Sequence, residues 1–202
     1  DFDFSTGKIT ANSGVTLTGT FSFAEDMDAP QVSGMVFSNG AVTTTSALKV
    51  DTLSMTSAAI TLRHNAGTTS EFGTITGNGS LYQNSAGDLK LHDASLWDFE
   101  LKGGGNTTIS GTVSASQYLS IGKETVTLLN GANVTAPRLT AGNTASGQPS
   151  TVNIEQGATL TITGSTDADS TGNSLLLAHW GSSSSTLKLN GGTLNALNTQ
   201  ML

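Results

Sequence analysis

The chain has 202 residues and no cysteine, with 15 acidic against 8 basic side chains, a formal net charge of −7. These numbers exclude disulfide scaffolds, Cys-ligated zinc and thiol catalysis. A pI near 4.6 leaves no basic footprint for nucleic acid. No run approaches 18 consecutive apolar residues, so no helix of this sequence would span a bilayer. The chain does not open with the charged and apolar regions of a signal peptide, so a processed or excised piece is expected. Its 32 Thr, 25 Ser and 14 Asn are far above ordinary usage and point to a hydroxyl-rich surface rather than a charged one.

Strand signals run the length of the chain. Apolar and polar residues alternate at 15–17, 60–62, 152–154, 160–162 and 187–189, and period two with Val, Ile and Thr reads as half-buried strand. Asn, Gly, Asp and Ser, the turn formers, lie between them. The best helix candidate is the run 174–180, which a buried strand fits equally well.

The turns repeat. Leu91-His-Asp-Ala-Ser-Leu96 aligns without a gap on 129–134, 189–194 and 37–42, and 55–60 fits the same outline. The copies at 9–15, 75–81 and 154–160 carry one extra turn residue, and a weaker copy begins at 109. Starts at 37, 55, 75, 91, 109 and 129 give a period of roughly 18 residues, and wider steps outside that range require added loops. Stacked passes of this length predict an all-β, right-handed parallel β-helix (a solenoid) with coils of roughly 18–20 residues. A single domain over 1–202 is expected, a fragment of something longer, with inserted loops near 19–36, 97–106 and 164–185. Leu91, Leu129, Ile154 and Leu189 should face its core. An antiparallel sandwich is the competing architecture.

Side chains alternate across a strand, so the residue after each second apolar position should point outward. Copy by copy this gives Thr16, Thr43, Thr61, Tyr82, Trp97, Thr135, Thr161 and Asn195. Tyr82 and Trp97 should form an adjacent aromatic step, flanked by Asp98 and the turn Gly103-Gly104-Gly105. Thr61, Tyr82, Trp97, Asp98, Thr135, Thr161 and Asn195 are therefore the candidate binding residues. Lys90, Lys188, Ser54 and Asn153 fill the outward slot of the preceding strand.

Catalytic groups do not converge in the sequence. No nucleophile elbow, HExxH or phosphate loop occurs, and His64, His92 and His179 lie far apart. Asp93, Asp98 and Glu100 make the only dense acidic group near one coil, too few for a catalytic constellation. Asp167, Asp169 and Asn173 give at most a weak calcium signal. The expectation is no enzyme, no cofactor and no metal.

The copies Leu129-Asn-Gly-Ala-Asn-Val134, Leu189-Asn-Gly-Gly-Thr-Leu194 and Ile154-Glu-Gln-Gly-Ala-Thr-Leu160 resemble the passenger repeats of bacterial autotransporters, the AIDA-like and pertactin-like group. Ser174-Leu-Leu-Leu-Ala-His-Trp180 strengthens the resemblance. It implies a cell-surface adhesin or self-association passenger of a Gram-negative bacterium, displayed on the outer membrane or secreted. Adhesion, aggregation or biofilm formation would be its roles. Partners would be another copy on a neighbouring cell, or a host-surface or matrix protein or glycan. Membrane attachment would come only through a C-terminal β-barrel outside this sequence. A carbohydrate-binding or carbohydrate-active β-helix, of the lyase, hydrolase or phage-spike kind, is the alternative.

Overall fold

The computed structural model describes residues 15–18, 21–23, 35–44, 47–142, 148–164, 174–178 and 183–196. Among these the chain is all β, without a helix. It opens with β1 (Val15–Thr18), β2 (Phe21–Phe23), β3 (Met35–Thr44) and β4 (Lys49–Leu62). β5 (Thr69–Gly77), β6 (Ser80–Gln83), β7 (Asp88–Leu101), β8 (Asn106–Ile109) and β9 (Thr112–Ile121) follow. Then come β10 (Thr125–Leu128), β11 (Asn133–Ala136), β12 (Leu139–Ala141) and β13 (Ser150–Glu155). β14 (Thr159–Ile162), β15 (Leu175–Leu177), β16 (Ser185–Asn190) and β17 (Thr193–Ala196) complete the described strands. The run taken as a helix candidate is thus strand at 175–177.

Among the described residues every pairing of named strands is parallel, which removes the antiparallel sandwich. The pairings form three ladders that the chain visits in constant order. In one pass, β7 supplies 88–91 to ladder A, 93–96 to ladder B and 98–101 to ladder C. β8 and β10 continue ladder A; β11, β14 and β17 belong to ladder B; β6, β12 and β15 belong to ladder C. Parallel neighbours need a crossover of a dozen or more residues. Here the strands of the other two ladders are that crossover.

The inward rows meet in a single apolar cluster. In ladder A the row runs Val50, Phe72, Leu91, Ile109, Leu128, Ile154, Leu189, each in register with the next. Leu91, Leu128 and Ile154 are buried as a core row requires. Leu129, expected inside, is 39% exposed, and its neighbour Leu128 occupies the inward slot. Leu189 keeps its register but is 55% exposed, because among the described residues no strand stacks beyond β16.

The repeat is a corner motif, and the chain uses it at two different corners. Copies starting at 37, 55 and 75 turn from ladder B to ladder C, whereas those at 91, 109, 129, 154 and 189 turn from A to B. Gly131 and Gly157, at φ +85° and +78°, explain its Asn-Gly or Gln-Gly signature. Ala132 N–H closes onto Leu129 O and Ala158 N–H onto Glu155 O, both at 2.9 Å. Positive φ at the third residue of such a turn favours glycine.

The loop expected near 97–106 is instead strand to Leu101 and a short turn into β8. Most of the other two expected insertions, 24–34 and 165–173, lies outside the described residues.

Candidate binding surface on ladders B and C

The single outward stripe expected from the sequence divides between two faces. On ladder B, Ser54 pairs with Thr76, and Ser95, Ser114, Thr135, Thr161 and Asn195 follow in register. Asn195 Nδ2 donates to Thr161 Oγ1 at 3.5 Å, so part of the row bonds along itself. On ladder C the corresponding row is Thr43, Thr61, Tyr82, Glu100 and Ser120. Tyr82 is therefore in register with Glu100, not Trp97, and the expected aromatic step does not form. Lys90 and Lys188 lie on ladder A with Asn153, while Ser54 belongs to ladder B. The error came from treating two corners as one.

What ladder C assembles instead is a tyrosine and carboxylate cluster. Asp98 and Glu100 share its outer face, one residue apart on either side of buried Phe99. Tyr82, from the preceding strand, donates its hydroxyl to Asp98 Oδ2 at 3.4 Å. Tyr118, from the following strand, donates to Glu100 Oε1 at 3.1 Å. Lys102 Nζ reaches Glu100 Oε2 at 2.8 Å. Desolvation first, then the charge of Asp98, raises the Tyr118 phenol. Tyr82 is also raised, mainly by burial, with the Ser80 hydroxyl working against the shift and Asp98 adding to it. Both phenols are therefore donors at neutral pH. Asp98 is only 6% exposed, and its Oδ1 accepts no hydrogen bond.

Trp97 stands at the edge between the two ladders, 45% exposed. Leu96 pairs with Ala115 but Asp98 with Tyr118, so a register shift falls at the indole. Bulges of this kind re-aim a side chain.

A third set of polar groups is internal, at the corner from ladder C to ladder A. His64 is fully buried, its ring nitrogens 2.8 Å from Thr68 Oγ1 and 3.2 Å from Ser70 Oγ. Gln83 donates to Gly87 O. Glu124 accepts from Gly103 N at 3.0 Å, Gly104 N at 3.1 Å and Thr107 Oγ1 at 3.1 Å. Desolvation dominates those bonds and pushes its carboxyl up to about 7. Neither Glu124 nor the burial of His64 was read from the sequence. The one available clue was the unusual glycine run at 103–105, where two N–H groups hold the carboxylate and the missing side chains leave room for the backbone of the turn at 85–87.

Exposed His92 has Nδ1 3.3 Å from Asp93 Oδ1, and Asp93 is held low chiefly by the Thr112 N–H it accepts. Among the described residues no three His, Asp or Glu side chains converge as metal ligands. Asp167, Asp169, Asn173 and His179 lie outside the described residues. No protein-family model, curated protein or solved structure matches the chain.

Proposed function

We propose that the three ladders close into a right-handed parallel β-helix, and that its side is the interaction surface of an autotransporter-type adhesin or self-association passenger. Right-handed crossovers are the rule for parallel strands in one sheet. Partner spacings of 18 residues, as between Met35 and Leu53, and 19, as between Ile75 and Ala94, support coils of the expected length. Localisation at a Gram-negative cell surface follows from the same reading.

The observation that carries the reading is the outward hydroxyl and amide row of ladder B, continuous in register from Ser95 to Asn195. Each hydrogen bond such a row makes with a partner contributes about 0.5–1.5 kcal/mol. Repetition along a rod, and between many rods on two cells, turns weak contacts into avidity.

The test places Ser114→Glu, Thr135→Glu and Thr161→Glu together on displayed chains and measures cell sedimentation and binding to host matrix. Thr108→Glu with Thr186→Glu on ladder A is the control. Aggregation or adhesion should fall with the ladder B set alone. Equal behaviour of the two folded variants would reject this face. A carbohydrate-active reading is favoured only by the juxtaposition of Asp98 and Glu100, and turnover of a polysaccharide lost in Glu100→Gln would establish it.

A further inference from the structure

We infer that the corner at Trp97 is a saccharide subsite, where a sugar ring of a neutral, hydroxyl-rich glycan lies against the indole and bonds to Asn78 and Ser80. The inference names a partner class for the side surface proposed above and rests on that reading.

The local backbone explains why an indole stands in solvent here. Ala94 pairs with Ile75 and Asp98 with Ser80, so three residues of β7 turn the corner that four residues take in the preceding pass. In the following pass, residues 116 and 117 face Trp97 alone. The shorter turn leaves residue 97 as the corner itself, with Leu96 and Phe99 on either side committed to the core. Trp97 N–H donates to Gly79 O at 2.8 Å, which holds the base of the side chain.

Beside the ring is an open hollow of about 400 Å³, lined by Ser57, Ala58, Ala59, Asn78, Ser80 and Trp97. That volume lies within the range of small-ligand sites, where an apolar wall and a few fixed polar groups set orientation. The two alanines leave the floor open. Asn78 is fixed because its Oδ1 accepts the Ser57 N–H at 2.9 Å, which leaves its amide nitrogen to donate.

The polar rim suits a hydroxyl-bearing ligand: a sugar hydroxyl accepts from the Asn78 amide and exchanges hydrogen bonds with the Ser80 hydroxyl. Asp98, Glu100 and the net charge of −7 disfavour an acidic polysaccharide.

The experiment titrates the whole chain with cellotetraose, chitotetraose and tetragalacturonate, reading tryptophan fluorescence and isothermal calorimetry. At least one neutral tetrasaccharide should bind at millimolar or lower concentration, and the acidic one at least tenfold more weakly. Trp97→Ala and Ala59→Phe, the second filling the hollow while keeping the indole, should each lower affinity tenfold or more with an unchanged far-UV spectrum. Trp97→Phe should retain part of the binding. No binding of either neutral probe, or binding indifferent to Trp97→Ala and Ala59→Phe, overturns the subsite. Aggregation lost only in the ladder B glutamate variants would then still uphold the side surface, so the two readings fail separately.

Discussion

The hydroxyl of Tyr118 donates to Glu100 Oε1 across 3.1 Å, although Tyr118 is in register with Asp98 and Glu100 with Ser120. The bond is a diagonal one between neighbouring parallel strands, and Tyr82 makes its mirror from the other side, to Asp98. Two carboxylates on one face repel, and each is given a phenol donor from a different strand.

That arrangement can be read by titration, because Tyr82 and Tyr118 are the only tyrosines of the chain. Both should ionise above the ordinary phenol range. A phenol whose folded value is raised contributes stability below pH 10 that is lost as the pH climbs through the folded value. Ultraviolet absorbance against pH should show Tyr118 moving down in Glu100→Gln and in Asp98→Asn. An unmoved curve in both variants would sink the electrostatic account. Tyr118→Phe should cost about 1 kcal/mol of stability, measured by urea unfolding.

Glu124 makes the chain sensitive to pH in a different window. Burial pushes its carboxyl up from an ordinary 4.5 to about 7, so the folded chain binds the extra proton between those values. Stability from this group is complete below the unfolded value and falls as the pH rises through 7. The loss is on the order of 3 kcal/mol at most. Urea midpoints should be higher at pH 5 than at pH 8, and Glu124→Gln should flatten the difference. A wild-type midpoint independent of pH across that window would contradict the burial argument.

The core register is tested by two adjacent leucines. Leu128→Ala opens a cavity beneath three ladders and should cost about 2–5 kcal/mol. Leu129→Ala, on the exposed corner, should stay within about 0.5 kcal/mol. Equal losses in denaturant unfolding would mean that the register is wrong.

Two glycines separate conformational from steric demand. Gly131 has φ +85° and open space where a Cβ would stand, so Gly131→Ala should cost about 1 kcal/mol through the backbone alone. A Cβ on Gly103 would lie 1.8 Å from Ser85 O in the neighbouring turn, and backbone cannot move aside as a side chain does. Gly103→Ala should therefore be more destabilising by several kcal/mol, or prevent folding. Thermal melts of the two variants decide it.

Composition and periodicity by themselves determined that the chain is rich in β-strand and that its turns, with Gly131 and Gly157 among them, recur at roughly even steps. These are local properties: alternation follows from the pleat, and positive φ from the chemistry of one residue. Hence Leu91 and Ile154 could be placed in the core, and Thr135, Thr161 and Asn195 in one outward row. The inward assignment of Leu129 and the pairing of Tyr82 with Trp97 failed for a common reason. Alternation fixes inside and outside only between corners, and each corner resets the phase by a number of residues that varies from pass to pass. Three residues turn between Ala94 and Asp98, where four turn between Ile75 and Ser80. Only stacking against neighbouring passes decides how many residues a corner takes, because only there do the ladder hydrogen bonds and the shared core select one register over its neighbours. The same stacking brought Tyr82 and Tyr118 onto Asp98 and Glu100, and folded a glycine turn around Glu124. Both are contacts between residues 16 to 21 positions apart, which no local pattern encodes.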